Sequence, residues 1–191
     1  MDLGKLLAGQ FDNEEILETL GKTVGVDSGK AGDLAKLGIP AIMQALSRNA
    51  STPEGANALN KALEDHRDDD VDNIAEFLGK RKPDEAARML DHIFAGSNDR
   101  VKNNLAKQTG LDAGQVSGLL AQLAPLLIGA LGQQKKQQNV DASGLAGLLG
   151  GLAGSSGAGG LMDLAAKLLD TDQDGSIMDN VGDLLSGFLK K

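Results

Sequence analysis

Asp170, Asp172 and Asp174 alternate along the chain, and Gly175 follows at once. Alternate carboxylates ahead of a glycine form the front half of an EF-hand-type loop, in which oxygens from positions 1, 3 and 5 turn toward one hard cation. Glycine at position six permits the sharp turn, because it has no Cβ to forbid positive φ. Ser176 then offers its backbone carbonyl at position seven. Position nine is Met178 and position twelve is Val181, so the bidentate Glu is missing; Asp179, at position ten, is the nearest replacement. The expected metal set is therefore Asp170, Asp172, Asp174, Ser176 and Asp179. All of these donors are hard oxygens, so Ca²⁺ rather than Zn²⁺ is the expected ion. Without the twelfth-position carboxylate the affinity should be weak, on the order of 10⁻⁴–10⁻³ M. The alternative is a solvated acidic turn in which Ser176 and Asp179 form a capping-box-like start to the last helix.

Other reactive types are sparse. Residues 64–72 are acidic and include His66, but they have neither a glycine turn nor regular spacing. They read as a solvated inter-helix loop with Asp70 as a helix N-cap. Asp91 and His92 are adjacent, and such a pair could move protons. On a helix, however, neighbouring side chains diverge by about 100°. No nucleophile elbow, phosphate loop, zinc-protease helix or dinucleotide fingerprint occurs, so no catalytic or cofactor-binding residue is assigned.

Composition narrows the field further. The net charge is −8, which argues against nucleic acid as a partner, since phosphate binding needs a basic face. There is no cysteine, hence no disulfide and no thiolate site. The chain has no Trp or Tyr and only four Phe. Any core must be aliphatic, and the excess of Leu and Ala favours helix over strand. The start, MDLGKLLAGQF, lacks the basic-then-apolar form of a secretory signal. The longest apolar run, 119–131, is interrupted by Gln122 and falls short of the roughly 18–20 residues that span a bilayer. These features predict a soluble, cytoplasmic protein with no transmembrane segment.

The elements that would carry these residues are helices. Ile16, Leu17, Leu20 and Val24 fall at helical spacing behind an acidic first turn. Thr52-Pro53-Glu54 and Lys82-Pro83-Asp84 read as helix starts. Val71, Ile74, Ala75 and Leu78 mark a short helix, and Gly96 ends the helix carrying Met89, Leu90, Ile93 and Phe94. No segment alternates apolar and polar residues as a strand would.

The chain also repeats itself. Residues 20–46 and 105–131 align without a gap. They pair Leu20 with Leu105, Lys22 with Lys107, Gly25 with Gly110, Asp27 with Asp112, Gly29 with Gly114, Leu34 with Leu119, Pro40 with Pro125, and Ala45-Leu46 with Ala130-Leu131. In each copy a glycine ends one helix, an Asp caps the next, and a proline kinks or breaks it before an almost wholly apolar segment. The expected fold is all-α: an internally duplicated helical bundle with pseudo-two-fold symmetry, followed by a C-terminal helix–Asp-rich loop–helix. The expected divisions are a core at 1–140, with repeat units about 11–65 and 96–140, a Gly/Leu-rich linker at 141–160, and the helix–loop–helix at 161–191. Within the last, 161–169 and 179–189 are the two short helices. Residues 133–139 are either the solvated end of a long helix or a linker.

The pattern Leu90-Asp-His-Ile-Phe-Ala-Gly96, Leu105 through Thr109-Gly110-Leu111, and Leu119-Leu-Ala-Gln-Leu-Ala-Pro125 resembles a bacterial family catalogued as domain of unknown function 937, which is similar to the YidB-like group. The resemblance covers most of the chain and extends to the Asp-rich loop, a form in which members often end. It implies a mainly helical bacterial protein and carries no activity. The sequence therefore points to a non-enzymatic interaction or scaffold protein with a weak calcium loop, engaging a protein partner or itself. The alternatives are an enzyme built on an unrecognised Asp/His site and a membrane-surface protein using the Gly-Leu-rich tail.

Overall fold

The computed structural model describes residues 13–71, 73–80 and 83–155. They form eight α-helices and one 3₁₀ turn, with no strand among the described residues. Capping chemistry sets most of the boundaries. The Asn13 side chain accepts from the Glu15 N–H at 3.0 Å and opens α1, Glu14–Lys22. At the other end Gly25 takes φ 73°, and the Val26 N–H reaches back to the Gly21 carbonyl at 3.0 Å, closing a Schellman turn. Asp27 accepts from Lys30 N–H at 2.9 Å and starts α2, Ser28–Asn49. Thr52 and the N1 proline start α3, Pro53–Asp65.

The next three helices are shorter: α4, Ile74–Gly79; α5, Pro83–Phe94; and α6, Asn98–Thr109. Asn73, not Asp70, caps α4, accepting from Glu76 N–H at 3.2 Å. The helix starts too far downstream for Asp70 to serve. Gly110 ends α6 at φ 68°. A reciprocal box between Asp112 and Gln115 then opens α7, Ala113–Gln138. Asn139, in the left-handed region, ends α7. A 3₁₀ turn at Ala142–Gly144 leads into α8, Leu145–Ser155.

The core forms around α7, against which α2, α3, α5 and α6 pack. Its run from Leu123 to Gly132 is buried on every face, as expected of a helix without a polar side. Leu34, Ile42, Leu46, Leu63, Leu90, Leu105, Leu119 and Leu127 are at most 1% exposed. Each such side chain contributes about 1.5–3 kcal/mol. Close crossings require small residues. A Cβ on Gly132 would lie 2.6 Å from the Leu63 carbonyl oxygen, so α3 can approach α7 there only because the side chain is absent.

Three expectations meet different outcomes here. The polar end of the apolar run is helical, so α7 is longer than the run itself. By length and composition it could cross a membrane, but 67% of its most apolar window is buried by its neighbours, as in the core helix of a globular fold. Pro40 and Pro125 lie inside α2 and α7, which continue through them, rather than at the starts of new helices. Finally, the segment read as a linker, 141–160, carries α8, whose Leu145 and Leu149 are buried against α2 and α3. Leucines spaced by four put one apolar stripe on the helix, and that stripe outweighs the glycines between them. Asp170, Asp172, Asp174, Ser176 and Asp179 lie outside the described residues.

Candidate functional site

A groove of about 990 Å³ lies between α3 and α5. Helical period builds both walls. On α3, Gly55, Ala58, Leu59 and Ala62 share one stripe, which His66 extends just past the helix end; on α5, Glu85, Ala86, Met89, His92 and Ile93 share another. The floor comes from the ends of the core: Leu46 of α2 and Pro125 and Ile128 of α7. The lining is mostly apolar, and Ala58 and Met89 remain accessible at its lip.

Two devices hold the groove's shape. Asn49, at the end of α2, donates from Nδ2 to the Ile93 carbonyl at 3.0 Å and to the His92 carbonyl at 3.4 Å. These are C-terminal carbonyls of α5 that its own ladder cannot satisfy. Gly55 allows the return from α2 to α3, since a Cβ there would collide with the Asn49 carbonyl.

The rim is basic. Arg48, Lys61 and Arg88 line the groove, and none of them pairs with a carboxylate among the described residues. Arg88 instead donates from Nε to the Asp84 backbone carbonyl at 3.2 Å. Elsewhere Lys22, Lys36, Arg67, Lys80, Lys102, Lys135 and Lys136 have acidic partners, whereas Lys30 and Lys107, exposed on α2 and α6, have none among the described residues. Three cations that have no acidic partner among the described residues thus gather, with Glu85 beside them, around one mostly apolar groove in a chain of net charge −8.

Both histidines of the chain line this groove, but neither forms the pair the sequence suggested. Asp91 Oδ1 accepts from Asn98 Nδ2, which ties the carboxylate to the start of α6 rather than to His92. His92 is exposed. The Asp–His contact that does form is His66 Nδ1 with Asp69 Oδ2, at 2.9 Å. The groove's one lining hydroxyl, on Thr52, is occupied in accepting from the Gly55 N–H at 3.1 Å.

A second, smaller cluster closes the opposite side of α3. Lys135, with its side chain 9% exposed, pairs with Glu64, which also accepts from Arg67 at 2.6 Å. Lys136 meets Asp68 at 2.6 Å, and Gln133 donates to the Asp69 carbonyl at 2.7 Å. The Lys135 ammonium, and after it the Arg67 guanidinium, hold the Glu64 carboxyl below the usual glutamate range. Lys136 lowers Asp68 in the same way. Three cations share two carboxylates in this cluster, which fastens α3 to the end of α7.

Among the described residues no group of three or more His, Cys, Asp or Glu side chains could hold a metal. Within the acidic run, Glu64 and Asp68 are engaged in the ion pairs just described and Asp69 pairs with His66. No local pattern announces the cationic rim. Arg48, Lys61 and Arg88 come from three helices, and only tertiary packing brings them together.

Residues 5–134 match the family model described as bacterial protein of unknown function (DUF937), and the chain belongs to that family. No curated protein and no solved structure matches the chain. All the groove residues fall inside the matched span, whereas the Asp-rich loop lies beyond it.

Proposed function

We propose that this chain is a non-enzymatic interaction protein whose α3–α5 groove takes an acidic amphipathic helix. The carrying observation is the combination of an apolar floor with a rim of Arg48, Lys61 and Arg88 that have no acidic partner among the described residues. An amphipathic helix laid in such a groove buries its apolar stripe and offers carboxylates to the rim. The apolar contacts supply affinity, and the charges select and orient the partner.

A photo-crosslinking residue at Ala58, on the groove lip, tests this in cells, with Asn103 on α6 as the control position. Adducts should form at Ala58 and be lost when Arg48→Glu and Arg88→Glu are added. Equal yields at the two positions would remove the reading.

Two further readings belong to the same proposal. The pairs α1–α2 and α6–α7 are copies of one duplicated unit. Gly25 and Gly110 both take positive φ, Asp27 and Asp112 both cap through a side-chain oxygen, and Leu20, Leu34 and Leu46 are buried as Leu105, Leu119 and Leu131 are. The C-terminal loop binds Ca²⁺ weakly through Asp170, Asp172, Asp174, the Ser176 carbonyl and Asp179, supported by residue type and spacing.

A further inference from the structure

We infer that the occupant of the α3–α5 groove is this chain's own segment 161–169 together with the Asp-rich stretch after it, an inference that rests on the reading of the groove as an acceptor of acidic amphipathic helices. Chemistry matches on both sides. Leu161, Leu164, Ala165 and Leu168 fall at the spacing of one helical face. Asp163, Asp170, Asp172 and Asp174 supply carboxylates, and Lys167 is the one cation between them. The groove supplies the complements: an apolar floor from Leu46, Leu59 and Ile128, and the cations Arg48, Lys61 and Arg88.

Connectivity supports the same occupant. The chain leaves α8, which packs on α2 and α3, the elements that form one wall and part of the floor of the groove. Five residues, 156–160, separate α8 from the segment. Extended, they reach about 17 Å, more than the roughly 10–12 Å diameter of a helix such as α3, which both meets α8 and lines the groove. A short tether also raises the segment's effective concentration to the order of millimolar, so modest contacts suffice. The groove then has a built-in competitor, and an external partner must displace it.

The absence of cysteine and the placement of methionine make the test clean. A nitroxide is attached at Lys167→Cys in the full chain, and the methionine methyl groups are observed by NMR. Met89 lies on the groove wall, and Met43 is buried in the core as a control for folding. The expected result is strong broadening of the Met89 methyl signal. It should be relieved severalfold by Arg48→Glu with Arg88→Glu and unaffected by Lys30→Glu with Lys107→Glu, while Met43 keeps its shift throughout. Broadening that arises only between spin-labelled and isotope-labelled copies would assign the groove to a second molecule and overturn the inference, as would no broadening at all. A synthetic acidic amphipathic peptide is then added to the full chain. If it shifts Met89 despite a negative result above, the groove reading stands and only its occupant changes; if it does not, both fail.

Discussion

The Asn49 side chain donates to the Ile93 carbonyl at 3.0 Å, joining residues 44 positions apart and fixing the end of α2 to the end of α5. This amide ties one wall of the groove to its floor. Asn49→Ala leaves the Ile93 and His92 carbonyls without that donor. It should cost about 1 kcal/mol of stability and weaken groove binding by more than an exposed alanine substitution elsewhere on α2 does. Urea unfolding, together with the Met89 methyl shift, checks both parts. An unchanged shift would mean that α5 is held by its apolar contacts alone.

Gly25 and Gly110 test the duplication. Both adopt left-handed φ, 73° and 68°, and a Cβ at either meets no neighbour, so the cost of a side chain there is conformational. Gly25→Ala and Gly110→Ala should each destabilise by about 1–2 kcal/mol. Thermal melts of the two variants measure this directly. A large loss at one position with none at the other would count against equivalent roles for the two turns.

Local chemistry was readable in advance, and long-range assembly was not. Thr52-Pro53, Asp27 and Asp112 announce their helices because a cap depends on residues three positions away. The burial of α7 was legible from its lack of a polar face. The failures have a common cause. Asp70 lost the cap to Asn73 because a boundary shifted within one acidic loop. The Gly/Leu-rich segment reads as a link with a leucine stripe weakened by glycines, and the core that takes up Leu145 and Leu149 is not encoded in the segment itself. Lys135 sits in a polar low-complexity run, but the structure buries it against Glu64, 71 residues away. The groove has no local signature at all, since Leu46, Leu59, Ile93 and Ile128 read simply as core residues.

The Glu64–Lys135 fastening makes stability depend on pH with a definite sign. Glu64 titrates lower in the folded protein than its ordinary value because of Lys135 and then Arg67, and Asp68 does so because of Lys136. Groups depressed in this way stabilise the fold at pH above the unfolded-state glutamate and aspartate values, about 4.3 and 3.9. That contribution is lost as pH falls through their lower folded-state values. Unfolding midpoints should therefore decline in this acid range. Glu64→Gln should be less stable than the parent at neutral pH, with the gap narrowing in acid. A gap that stays constant across the range would show that the carboxylate's charge contributes nothing.

Calcium is the remaining prediction, and it turns on one missing ligand. Asp170, Asp172 and Asp174 provide alternating carboxylates, Gly175 the turn and Ser176 a carbonyl, but Val181 stands where the bidentate Glu would be. Asp179 is two positions early and can at best supply a longer-reaching oxygen. Binding on the order of 10⁻⁴–10⁻³ M follows. At that affinity the loop fills only where calcium is plentiful. Calorimetric titration of the full chain with Ca²⁺ should show one weak site. Asp172→Ala, which removes a central ligand, should abolish it; Asp179→Asn, which keeps an oxygen but loses the charge, should weaken it by less. Equal heats from the parent and Asp172→Ala would leave these carboxylates with a helix-capping role and no metal.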